Sequence, residues 1–183
     1  MVAILIAFSI ASVQSPKMNK GIRPESFQRL RHLIEDHGSV NERFVAPNRS
    51  SSEIGQTVTV GGIDPDCIKL TIFIPSIKNT MKFSVSWQEM KSIAAYHAVD
   101  ILSSHYTNET VAPKDMPAPW SEVVIKYSSS IGKPDPKLWE EVSFWVDRQV
   151  YGDQIRTLLI QIAKVYGAKI VKPGPPPFSG NVD

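Results

Sequence analysis

Three short stretches alternate apolar and polar residues with a period of two, and no other feature narrows the possible folds as far. In "QTVTVGG" Val58 and Val60 alternate with Thr57 and Thr59. In "CIKLTIFI" Ile68, Leu70, Ile72 and Ile74 alternate with Lys69 and Thr71. In "MKFSVSW" Phe83, Val85 and Trp87 alternate with Ser84 and Ser86. Because successive side chains of a strand point to opposite faces, such segments make an antiparallel sheet covered on one side only. The separators "GGIDPD" and "PSIKNT" are turn chemistry, so the strands are expected as a meander, with Asp64 and Asp66 in a turn.

Helical signals surround this core. "RPESFQRLRHLIEDHG" places Pro24 in a first turn, spaces Phe27, Leu30 and Ile34 along one face, and stops at Gly38. "SWQE", Ser86 to Glu89, has the form of a capping box, which predicts a helix with Met90, Ile93, Ala94, His97 and Ile101 on one stripe. Asp135 and Pro136 predict the start of another over "KLWEEVSFWVDRQVY", broken at Gly152, and "DQIRTLLIQIAKVYG" predicts the last, with Ile155, Leu158, Leu159, Ile162 and Tyr166 inward and Gly167 at its end. "EVVIKY" is a fourth strand. Residues 39–55 and the proline-bearing "NETVAPKDMPAPW" read as loops.

The expected fold is therefore α+β: a small antiparallel sheet of about four strands packed by several helices, with extended arms at both ends. Its divisions are an apolar leader (1–17), a helix and polar loop (18–56), an α+β core (57–167) and a Pro/Gly-rich flexible tail (168–183). No internal repeat and no sustained heptad is present in the sequence. At 183 residues, 42% hydrophobic and 21% charged, the chain is long enough and apolar enough to bury a core.

The leader has three open readings. Val2 to Val13 would span about 18 Å as a helix against a bilayer core of about 30 Å, so no transmembrane span is expected. A signal peptide cleaved near Ala11 would make the protein secreted and the sequons at Asn48 and Asn108 glycosylation sites. Translation from Met18, or a structured strand, would leave it intracellular. The lone Cys67 cannot form an intramolecular disulfide and reads as a small buried hydrophobe.

Motifs for chemistry are few. His32, Glu35, Asp36 and His37 resemble a helical zinc pattern, but histidines five apart are separated by about 140° of helix, so no metal site is expected. His97 is either a core histidine or the base of an enzyme of unknown type. Phosphate-loop, dinucleotide and serine-hydrolase signatures are missing, and no cofactor is expected.

Charge and aromatic distribution point to association. Residues 17–50 hold seven basic and four acidic side chains, residues 51–150 nine and twelve, and residues 151–183 four and two. Basic ends suit contact with an acidic partner or a neighbouring subunit, with Arg23, Arg29, Arg31, Arg43 and Arg49 the candidate nucleic-acid contacts. Tyr127, Tyr151 and Tyr166 beside Lys126, Arg148, Arg156 and Lys164 offer stacking and phosphate contacts. Trp139, Phe144 and Trp145 make the expected 137–150 helix apolar on more than one face, so that helix is either central in the fold or meets another chain with its second face. The leading expectation is a non-enzymatic structural or interaction protein that forms a homo-oligomer, with nucleic acid to coat or another protein to bind as its further partner. A secreted binding module and an enzyme using His97 are the alternatives.

Overall fold

The computed structural model describes residues 22–45, 51–97, 120–128 and 139–175, with backbone alone for 42–45, 51–54 and 139. Helix α1 (Pro24–His37) leads into β1 (Ser39–Val45), β2 (Ser51–Ile63), β3 (Cys67–Ile74) and β4 (Asn79–Ser86). Next come β5 (Met90–His97), β6 (Ser121–Ser128), β7 (Trp139–Val146) and helix α2 (Gln149–Val165). The strands form two antiparallel sheets, ordered β1-β2-β3-β4 and β5-β6-β7. The expected small sheet packed by several helices is thus corrected: strand dominates, and among the described residues two helices serve both sheets.

The meander formed as its alternation requires. Val58, Ile72 and Met81 share one row of the inner face; Val60, Leu70 and Phe83 share the next. Helix α1 lays Leu30 and Ile34, both fully buried, on that face. The helix stops at Gly38, whose N–H donates to the Ile34 carbonyl at 2.8 Å. Its φ is an ordinary −83°, so glycine is needed there for space: a Cβ would come within 3.0 Å of the Val58 Cβ.

Elsewhere the fold departs from the expected elements for physical reasons. Residues 39–45 and 51–55, read as loop, are strands paired in register from Ser39↔Thr57 to Val45↔Ser51. Their sequence is polar because they extend a sheet whose alternating strands already fix the register. The helix expected after "SWQE" does not start. Ser86 makes no side-chain cap, Trp87–Glu89 is a single 3-10 turn, and Met90 resumes extended backbone at φ −61°, ψ 130°. The apolar residues of 90–97 then divide between faces: Ile93 opposes Ile125 on the inner side, and Ala94 opposes Val124 on the outer.

In place of the expected 137–150 helix, Trp139–Val146 form strand β7 and the next helix begins at Gln149. Val142, Phe144 and Val146 point into the core with at most 1% exposure, while Trp145 points the other way. Apolarity on more than one helical face was the trace of a strand with both faces covered. Gly152 breaks nothing, since it lies inside α2, which begins at Gln149. There α2 passes so close to β6 that a Cβ on Gly152 would collide with Ser121 Oγ. The inward set Ile155, Leu158, Leu159 and Ile162 is as expected, and Gly167 ends the helix with φ +91°.

One core joins the two helices and both sheets. Trp87 is its hub. Fully buried, it donates its indole N–H to the Asp64 carbonyl at 2.8 Å, and its backbone N–H reaches the Asp66 carbonyl at 3.1 Å. Its ring packs 6.1 Å from Phe27 of α1 and 6.4 Å from Tyr166 at the end of α2. Residues after α2 are docked as well: Ala168 is buried, and Val171 N–H donates to the Lys91 carbonyl at 2.8 Å.

Substitutions at the hub and at the helix–strand contact measure this packing. Trp87→Phe should lower the urea-unfolding free energy by about 1–3 kcal/mol, since the Asp64 carbonyl loses its donor, and Trp87→Ala by about 3–5 kcal/mol. Gly152→Ala should cost about 1–3 kcal/mol by overpacking, and Ser121→Gly in the same chain should restore part of it; additive losses would disprove the collision.

Candidate nucleic-acid interface

Because every large apolar side chain of residues 55–63, β3 and β4 except Phe73 turns toward the helices, the opposite face of this part of the sheet is polar and open. It has three rows: Thr57, Phe73 and Thr80; Thr59, Thr71 and Lys82; Gly62, Lys69 and Ser84. Phe73 is 40% exposed, in the middle strand between two threonines. Neither Lys69 nor Lys82 forms an ion pair among the described residues. The patch therefore presents two ammonium groups, hydroxyls and one aromatic face, with no carboxylate in its rows.

The turn at the end of this face is held by a carboxylate. Asp64 Oδ1 accepts the N–H groups of Asp66 and Cys67, each at 2.9 Å. Burial alone would raise the Asp64 pKa, but those two N–H groups, aided by Lys69, outweigh it and hold the carboxyl below its usual 3.8. The Asp64–Asp66 turn read from sequence is present. Cys67 is half-buried, its sulfur 3.6 Å from Ser84 Oγ and 3.8 Å from Asp64 Oδ2.

The outer face of β5–β7 differs: it is acidic and covered. Trp120 and Trp145 pack at 6.0 Å with Tyr96 beside them, and Lys126 pairs with Glu141 at 3.3 Å. Glu122, only 9% exposed, stands opposite both Tyr96 and Trp145. Burial raises its pKa, a hydrogen bond from Ser143 partly offsets the rise, and Glu141 adds to it.

Three of the candidate arginines, Arg23, Arg29 and Arg31, lie away from the open face, whereas the register places Arg43 on the same side of the sheet as Thr57. Arg23 is exposed at the start of α1, Arg29 donates to Gln154 Oε1 at 3.4 Å, and Arg31 pairs with Glu35 at 3.9 Å. They lie on a helix packed against the inner side of the sheet, away from Lys69 and Lys82. Arg43 opposes Glu53 in the β1–β2 register. Arg49, Asn48 and Asn108 lie outside the described residues, as does the leader.

Among the candidate interface residues, Phe144 is fully buried in the core, Trp145 is half-buried against Trp120, and Trp139 opens β7 opposite Ser128. The tyrosines are also occupied: Tyr127 is buried, with its pKa pushed up to about 12 by burial and by Glu140; Tyr151 stacks on His37 at 3.4 Å; Tyr166 stacks on Trp87.

The histidines make surface pairs. His37 Nδ1 lies 3.1 Å from Asp147 Oδ1, and His97 Nε2 lies 3.4 Å from Asp153 Oδ2. His97 ends β5 and is not a core residue of a helix. Among the described residues neither ring bonds a hydroxyl or thiol, no three metal-ligating side chains meet, and no helix is long and apolar enough to cross a membrane. No protein-family model, curated protein or solved structure matches the chain.

Lys69, Lys82 and Phe73 are the residues that single-segment reading missed. The alternation already put Lys69 on the polar face, but only the pairing Thr71↔Lys82 brings the two lysine-bearing strands into one patch.

The carboxyl of Glu122 supplies a pH test. Its folded value lies above the ordinary 4.5, so its support for the fold is complete below 4.5 and is lost as pH rises through the raised value. Unfolding free energy measured across that rise should fall more in the wild type than in Glu122→Gln; parallel curves would show that the carboxyl is not held protonated.

Proposed function

We propose that this chain is a non-enzymatic structural protein that associates with itself and carries single-stranded nucleic acid on the outer face of β2–β4. One observation carries the reading: Lys69, Lys82 and the surrounding threonines flank an exposed Phe73 on a sheet face that nothing among the described residues covers. Lysines bind phosphates through charge and counterion release, hydroxyls bond phosphate and sugar oxygens, and an aromatic ring stacks on any base. An open sheet face suits unpaired bases better than a duplex, whose major groove admits a helix or a two-stranded ribbon. These contacts fix a backbone without choosing a sequence, as a coating role requires.

Fluorescence anisotropy with a labelled single-stranded oligonucleotide tests the assignment. Lys69→Ala/Lys82→Ala should flatten the slope of log K against log salt by about 1.4, since each phosphate that a lysine neutralises on a single strand adds roughly 0.7 to it. Phe73→Ala should weaken binding by about tenfold, the low end of base–aromatic stacking. Arg29→Ala/Arg31→Ala should bind as the wild type does. If that pair alone flattens the slope, the contact surface is α1, and absence of binding at low salt removes nucleic acid from the reading.

A further inference from the structure

Two open sheets have four edge strands, and described hydrogen bonds engage the free sides of two of them, β7 and β5. β1 and β2 run beside β7, where Trp145 N–H donates to Gln56 Oε1 at 3.4 Å and Asp147 N–H to the His37 carbonyl at 2.9 Å. The free side of β5 is met by the segment after α2: Val171 N–H reaches the Lys91 carbonyl at 2.8 Å, and the Tyr96 hydroxyl donates to the Gly174 carbonyl at 2.9 Å. β4 is different. It pairs with β3 over all eight residues, Asn79↔Ile74 to Ser86↔Cys67, and no described backbone group meets its other side.

Natural edges are usually protected by proline, a bulge, an inward charge or a cover. β4 has no proline, no register shift against β3, and one charge, Lys82, which points outward. Its inward residues Met81 and Phe83 are only partly buried at the margin of the core.

The sequence of β4 is also self-complementary. Polarity is symmetric about Phe83, so a two-fold axis there sets Phe83 against its own copy, Met81 against Val85, Lys82 against Ser84 and Thr80 against Ser86. Apolar residues meet apolar ones on the inner side. On the outer side no lysine faces a lysine, and like charges directly opposed are what destabilise such pairs. An isologous contact needs this symmetry of a surface with itself.

We propose that β4 is a self-pairing edge: two copies join antiparallel through it, in the register that sets Lys82 of each against Ser84 of the other. The product is one continuous sheet made of both copies of β1–β4. Its outer side merges the two lysine-bearing patches into a single surface about twice as long, able to track a longer run of nucleic-acid backbone than either alone. This inference rests on the self-association half of the proposed function and names its interface.

Light scattering of the full chain, free of nucleic acid, is the first measurement, and a dimer is expected. Met81→Lys places an inward charge at the edge and should give a folded monomer by circular dichroism and scattering. In a Cys67→Ala background, Lys82→Cys mixed with Ser84→Cys should oxidise to a cross-linked dimer far more completely than Lys82→Cys mixed with Thr59→Cys. If Met81→Lys does not fold, the cross-link decides. A dimer that survives Met81→Lys and yields no preferential 82–84 cross-link overturns this pairing while leaving self-association standing. A monomer at every concentration overturns both.

Discussion

The indole of Trp87 ties together four parts of the chain that are far apart in sequence. Its N–H is bonded to the Asp64 carbonyl in the β2–β3 turn, and its ring lies among Phe27 of α1 and Tyr166 after α2. The 3-10 turn that carries it is the point at which the chain leaves the first sheet for the second. A buried donor without a partner would cost more than the bond itself contributes, so the turn, the indole and the two helix ends are fixed as one unit. The Asp64 carboxylate closes the same turn from its other side through the N–H groups of Asp66 and Cys67. The inner faces of both sheets can then share a core.

That shared core explains which elements were legible. Where a strand has one wet face, as in β2, β3 and β4, its period of two survives and identifies it. Where both faces are covered, as in β5 and β7, adjacent apolar residues such as Ile93 and Ala94, or Phe144 and Trp145, erase the alternation and imitate a helix. The capping signal at Ser86 was chemically sound but local. Placing Trp87 in the core decided against it, and Ser86 kept an extended backbone. β1 failed in the opposite sense, because pairing with a strand already in register lets polar residues such as Asn41 join a sheet without a pattern of their own.

The site was legible only in pieces. Each lysine could be assigned to a polar face from its own strand, but the patch exists because Phe73 faces Thr80 and Thr71 faces Lys82, and register of that kind is set by the turns and the core together. The tryptophan and tyrosine signals led elsewhere for the same reason. Aromatic residues mark buried junctions as readily as binding surfaces, and Trp87, Trp120, Tyr127 and Tyr166 all serve packing here.

Charge counted along the chain pointed away from this face. Residues 51–150 are net acidic, yet they contain the broad sheet face on which Lys69 and Lys82 stand without ion pairs among the described residues. Folding separates the signs: Glu122, Glu140 and Glu141 go to β6 and β7, where Lys126 answers one of them and burial favours the protonated form of another. Lys69 and Lys82 go to the outer side of β3 and β4, among threonine and serine hydroxyls, with the Asp64 carboxylate near Lys69. Coulomb interactions between exposed groups fade beyond a screening length of about 8 Å at physiological salt, so the proposed phosphate contact would respond to its near lysines rather than to the total charge. An overall +2 is therefore compatible with a locally cationic face. The deciding variable is how the register of β2–β4 sorts side chains between its two sides.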